Sequence, residues 1–125
     1  MIFGIGTDIV AVARLADLLA RRGDAIARRI LAPDEREAFA ASRDPARFLA
    51  KRFAAKEAFG KALGTGVAVP ATLHAVRVGH EPAGRPIYTY SQALADYLVE
   101  RGLRAHLSIS DEADQVIAFA VIETP

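Results

Sequence analysis

The chain has 125 residues, 52% hydrophobic and 25% charged, with no cysteine. That is enough for one globular domain spanning residues 1–125 and too little for two; it excludes disulfides, zinc–thiolate sites and cysteine nucleophiles. The net charge of +1 joins two unlike halves, with twelve Lys/Arg against eight Asp/Glu in residues 1–63 and four against seven in residues 64–125, so the basic first half is either a solvated surface or a face for an acidic ligand or protein.

Residues 2–10 (IFGIGTDIV) read as a short buried strand containing glycines. Met1–Gly4 has neither the basic nor the apolar region of a signal peptide, and no apolar run reaches the roughly 20 residues a membrane span needs. The expectation is a cytoplasmic chain with no membrane segment. Helical spacing of Val12, Leu15, Leu18 and Leu19 predicts a helix over 11–22 that stops at Gly23. A second helix is predicted over 24–32. A third follows Pro33 over 34–42, with acids in its first turn. Asp44-Pro45 opens the longest helix, which runs to about Leu63 and is closed by Gly64-Thr65-Gly66.

Beyond it, 75–78 reads as a strand, 80–86 as a turn and 87–90 as the return strand. A helix is predicted over 91–101. Residues 105–110 alternate, with Leu107 and Ile109 on one face and His106, Ser108 and Ser110 on the other. The run 116–122 is continuously apolar, which suggests a central strand covered on both faces. The fold class is α+β: an antiparallel sheet packed against helices.

The long helix carries most of the chemical information. At 100° per residue, Phe48, Leu49, Phe53, Phe59 and Leu63 share one arc, and Arg52 and Lys56 fall inside it. Charges there either snorkel or need acids, phosphates or an interface as partners. Glu57 and Lys61 line up beside the arc, as a surface ion pair or as part of a site. Asp8 sits among Ile5, Ile9 and Val10, where a carboxylate is usually hydrogen-bonded, ion-paired or a metal ligand. Asp8 and Glu57 together would suit Mg²⁺, which is commonly held by one or two carboxylates with water and substrate phosphates. The histidines show no metal-ligand spacing. No dinucleotide or Walker A fingerprint is present.

The segment RFAAKEAFGKALGTG (52–66) resembles the second signature of the 4′-phosphopantetheinyl transferases, and GIGTDIV (4–10) resembles the first signature of their acyl-carrier-protein synthase branch. The short length, the Gly-Arg-Pro turn at 84–86 and the His-x-Ser strand at 106–108 fit the same branch. The resemblance implies a single-copy transferase fold and a reaction. Phosphopantetheine passes from coenzyme A to a serine of apo-acyl carrier protein, with Mg²⁺, and adenosine 3′,5′-bisphosphate leaves.

By that resemblance Asp8 and Glu57 are the Mg²⁺ ligands and Lys61 neutralises developing phosphate charge, these three forming the catalytic set. Lys56 is a second phosphate contact. Gly64 approaches phosphate through its backbone or simply caps the helix. Pro86, His106 and Ser108 lie near the nucleotide of coenzyme A, although a hydrogen-bonded sheet histidine explains His106 as well. Arg14, Leu18 and Arg21 dock an acidic acyl carrier protein on the first helix. The branch also implies a homotrimer with sites between subunits.

Two other readings compete. One is a transferase of broader specificity for polyketide or peptide carrier domains, although relatives of that kind carry two fused copies of the domain. The other is a non-catalytic module binding a nucleotide or an acidic protein, which would not need Asp8, Glu57 and Lys61 together. A nucleic-acid module fits poorly, since no basic–aromatic interleaving is present.

Overall fold

Two glycines on one face of the first strand decide how the molecule is put together. In the computed structural model, which describes residues 1–125, β1 (Ile2–Ala11) points Gly4, Gly6, Asp8 and Val10 to one side and Phe3, Ile5, Thr7 and Ile9 to the other. The glycine side lies against the long helix α4 (Pro45–Leu63). α4 begins where Asp44 accepts a hydrogen bond from the Arg47 N–H and Pro45 presets the first turn. It ends at Gly64, in the left-handed conformation at φ 89°. Ala50, Ala54, Ala55, Ala58 and Ala62 are all buried, so neighbours approach α4 from several directions.

Three antiparallel strands form the main sheet in the order β1, β5 (Gln115–Glu123), β4 (Arg104–Asp111). α4 packs on β1 and β5, where Val116, Ala118, Ala120 and Ile122 supply the buried face. β2 (Val76–His80) and β3 (Pro86–Tyr90) form a separate hairpin. Helices α1 (Val12–Arg22) and α2 (Asp24–Ile30) are hinged at Gly23, and α5 (Gln92–Glu100) packs on β3. The molecule is mixed α+β, as the pattern implied.

Three expectations change. β1 is not buried: Phe3, Ile5 and Ile9 are more than half exposed. β5 is central in its sheet but covered on one face only, with Ile117 and Phe119 open on the other. The segment predicted as one helix over 34–42 is a 3₁₀ turn at Pro33–Glu35 followed by a short α3 (Arg36–Ala40). That tighter turn lets Glu35 point into the core, where it is 3% exposed.

Candidate active site

The close approach of β1 to α4 creates the site. A side chain on Gly4 or Gly6 would overlap the α4 carbonyls of Ala62 and Ala58, so the strand backbone rests directly on the helix. Asp8, the next residue on that side, is thereby placed beside α4. Lys61 reaches back across the junction and donates to the Thr7 carbonyl at 2.8 Å and to Asp8 Oδ1 at 3.3 Å. Glu57 lies one turn before Lys61. Partial burial pushes its carboxyl up from the ordinary value, and the negative charge of Asp8 pushes it further; Lys61 and Arg14 oppose the shift without cancelling it.

Asp8, Glu57 and Lys61, expected as one catalytic set, therefore converge within a single chain. Two carboxylates that repel each other are a donor set suited to a hard divalent cation, which would relieve the repulsion. No group of three or more His, Cys, Asp or Glu side chains converges anywhere in the chain, so any such cation must complete its shell with water or ligand oxygens. The residues fit Mg²⁺ on those terms.

Glu57 also borders a cavity of about 330 Å³ between α1, α2, α4 and the loop at 67–73, lined by Arg14, Leu18, Ile26, Arg29 and Phe53 among others. The Arg14 guanidinium lies over the Phe53 ring, 5.6 Å from its centroid. Arg14 and Leu18 thus share a cavity with Glu57. Arg21 does not: it is paired with Asp17 at 2.9 Å on the outer surface of α1.

The remaining expected residues lie elsewhere. Pro86 and His106 line a second cavity with Glu81, Arg85 and Arg104. His106 Nε2 is 3.0 Å from Glu123 Oε1. Ser108 is exposed and paired with Phe119 on the open face of the sheet. One chain alone does not bring these residues into the cavity beside Glu57.

Two expectations are corrected. Lys56 does not face a phosphate; it is fully buried, and its ammonium donates to the Ile30 carbonyl, the Leu73 carbonyl and Glu35 Oε1. Three donors are thereby used, leaving none for a ligand. Gly64 is committed as well. The N–H groups of Gly64, Thr65 and Gly66 all donate to the Gly60 carbonyl, which makes this a helix cap and not a phosphate cradle.

The residue that sequence reasoning missed is Glu35. It accepts from Arg52, Lys56 and the backbone N–H groups of Ala32 and Val78. The signal was the pair of cations inside an apolar arc, which demanded a buried acid without saying which one.

This arrangement, a carboxylate on a glycine-lined strand facing a Lys-Glu…Lys helix, defines a class. The chain belongs to the 4′-phosphopantetheinyl transferase superfamily, whose model matches residues 4–120. Within that superfamily it falls among the holo-[acyl-carrier-protein] synthases and is a transferase. It is 68% identical over 123 residues to the synthase of Aromatoleum aromaticum, covering 98% of each chain. The crystal structure of the Neisseria meningitidis synthase superposes with a TM-score of 0.95 at 47% identity, covering 99% of this chain and 100% of that one. The Bacillus anthracis synthase, solved in complex with CoA (3′,5′-ADP), superposes at 0.85 with 33% identity, covering 100% of this chain and 99% of that one.

Proposed function

We propose that this chain transfers the 4′-phosphopantetheine group of coenzyme A to a serine hydroxyl of apo-acyl carrier protein, with Mg²⁺, releasing adenosine 3′,5′-bisphosphate in the cytoplasm. The observation that carries this reading is the meeting of Asp8, Glu57 and Lys61 at the β1–α4 junction.

The serine oxygen forms a new bond to the pantetheine-side phosphorus. The bond from that phosphorus to the bridging oxygen breaks, and the electron pair leaves with the nucleotide. Asp8 and Glu57 would hold the metal, which when bound neutralises diphosphate charge. Lys61, half-exposed beside Asp8, supplies a second positive charge for the leaving oxygens. The serine proton passes to Glu57 or to a water beside it. The cavity between Glu57, Phe53 and Leu18 offers the pantetheine arm an apolar wall.

The functional unit in this reading is a homotrimer. Ile9 lies opposite Ile117 and Thr7 opposite Phe119, so the exposed apolar residues of β1 and β5 form one continuous patch. Such a patch calls for a partner. Association through it would let a neighbour's His106, Pro86 and Ser108 complete the nucleotide end of the site. A monomeric mass by sedimentation at micromolar concentration would sink this part.

The deciding experiment records the intact mass of apo-acyl carrier protein after incubation with the chain, coenzyme A and Mg²⁺. A gain of one phosphopantetheine arm, abolished by a chelator, is expected. No gain with several carriers would overturn the reading.

Carrier docking is assigned to the outer face of α1. Arg21→Glu lies outside the cavity. It should raise the apparent KM for the carrier several-fold while leaving that for coenzyme A unchanged, and the difference should shrink as salt rises. Equal shifts in both would remove Arg21 from the docking surface.

A further inference from the structure

The most heavily bonded acid in the chain lies outside the site. Glu35 is buried between the 3₁₀ turn, α4 and β2, and each oxygen has two donors. Oε1 takes Lys56 and the Ala32 N–H; Oε2 takes Arg52 at 3.0 Å and the Val78 N–H at 3.1 Å. Lys56 ties the same point to the ends of α2 and the loop through Ile30 and Leu73. Beside it, the buried Tyr88 hydroxyl donates to the Ala55 carbonyl at 2.6 Å. Three buried polar anchors thus grip α4 at residues 52, 55 and 56, immediately before Glu57.

On its other side α4 bears on the backbone of β1 at Gly4 and Gly6, with no side chain between them. The helix is held between a backbone surface that does not yield and a charged clamp. A shift or rotation at Lys56 passes directly to Glu57, the next residue, and changes its approach to Asp8.

We propose that Glu35 is a positioning residue for the Asp8–Glu57 pair, acting through Lys56 to fix the height and rotation of α4. This rests on the reading of Asp8 and Glu57 as metal ligands. The lysine of the Lys-Glu pair is then the arm by which the core sets the neighbouring carboxylate, not a contact to substrate. Neither Glu35 nor Lys56 touches the reacting atoms.

The test measures Mn²⁺ binding to the full chain in the presence of coenzyme A, by loss of the free-ion electron paramagnetic resonance signal as protein is added. Helicity and melting temperature are measured alongside. Glu35→Asp keeps the charge but withdraws the carboxylate by one carbon. The double variant Glu35→Gln/Lys56→Met removes the Glu35–Lys56 charge pair and leaves Arg52 with an amide oxygen and the Phe48 ring as partners. Leu98→Ala, a core truncation in α5, reports what lost stability alone does. Asp8→Asn checks the metal reading itself.

Glu35→Asp and the double variant should bind Mn²⁺ roughly 10–100-fold more weakly, the range seen when groups behind a metal ligand are changed. kcat should fall with it and the KM for carrier should hold. Leu98→Ala should melt lower and bind Mn²⁺ as the parent does. Parent-like Mn²⁺ affinity in a folded Glu35→Asp overturns the proposal, as does a loss no larger than that of Leu98→Ala. If the double variant does not fold, Glu35→Asp decides alone. Unchanged binding in Asp8→Asn would instead remove the metal reading, an outcome distinct from failure of the Glu35 arm.

Discussion

Glu57→Gln should cut phosphopantetheine transfer by at least about 100-fold, on the scale of losing one preorganised charge-stabilising group, while leaving the protein as stable as the parent or more so. The two halves of this expectation have one cause. In the folded chain partial burial and the negative charge of Asp8 both favour the protonated carboxyl of Glu57, more than Lys61 and Arg14 oppose it. A carboxyl whose folded value is raised contributes stability that is complete below the unfolded value, here 4.5, and is lost as pH rises through the folded value. Above the unfolded value the parent therefore loses a contribution that the neutral amide does not lose. The melting temperature of Glu57→Gln should equal or exceed that of the parent at pH 7, and any advantage should vanish as pH falls below the unfolded value.

Asp8→Asn should lose comparable activity, with the contact from Lys61 weakened as well. Thermal melts across pH, run beside the carrier mass assay, separate the possibilities. Retained activity in Glu57→Gln would remove that carboxylate from the chemistry. Activity lost together with a large fall in stability would make it a structural residue.

The candidate site was legible in the sequence chiefly through the resemblance. A carboxylate on an apolar strand with glycines, and a Lys-Glu…Lys stripe beside the core face of a helix, each have an ordinary structural explanation as well as a functional one. Read alone, Asp8 fitted a hydrogen-bonded strand carboxylate and Glu57 and Lys61 a surface ion pair; the resemblance joined the three into one candidate set.

Glu35 did not stand out, because an acid after Pro33 has an ordinary use at a helix start. Its actual role depends on a 3₁₀ turn and on partners 17, 21 and 43 residues away. Lys56 was misassigned by the same blindness: the sequence marked it as a cation inside an apolar arc, and a ligand phosphate and a core carboxylate satisfy that condition equally. β5 failed differently. An unbroken apolar run reads as covered on both faces, but α4 covers only Val116, Ala118, Ala120 and Ile122. The other face has no covering element within one chain, and periodicity cannot tell a missing layer from a supplied one.

Gly6→Ala should destroy both the packing and the site. The added carbon would sit 2.1 Å from the Ala58 carbonyl oxygen, 2.7 Å from the Ala62 nitrogen and 2.8 Å from the Lys61 Cβ. Two of these three neighbours are helix backbone, which cannot rotate aside as a side-chain end would, so β1 and α4 must separate. Overpacking of this kind costs about 3 kcal/mol, the upper end of the usual range, a fall in melting temperature of roughly 10 °C for a chain of this size. The separation opens between Asp8 on the strand and Glu57 and Lys61 on the helix. Activity should therefore fall further than the folded fraction does at the assay temperature. Gly79→Ala is the matched control. Its added carbon meets only the Ile87 and Thr89 side chains, at 3.8 Å, and should change stability by less than about 1 kcal/mol. Gly6 is retained, on this view, for the space it leaves and not for its backbone freedom, and a Gly6→Ala protein with parental melting and activity would show that strand and helix do not meet as closely as the catalytic set requires.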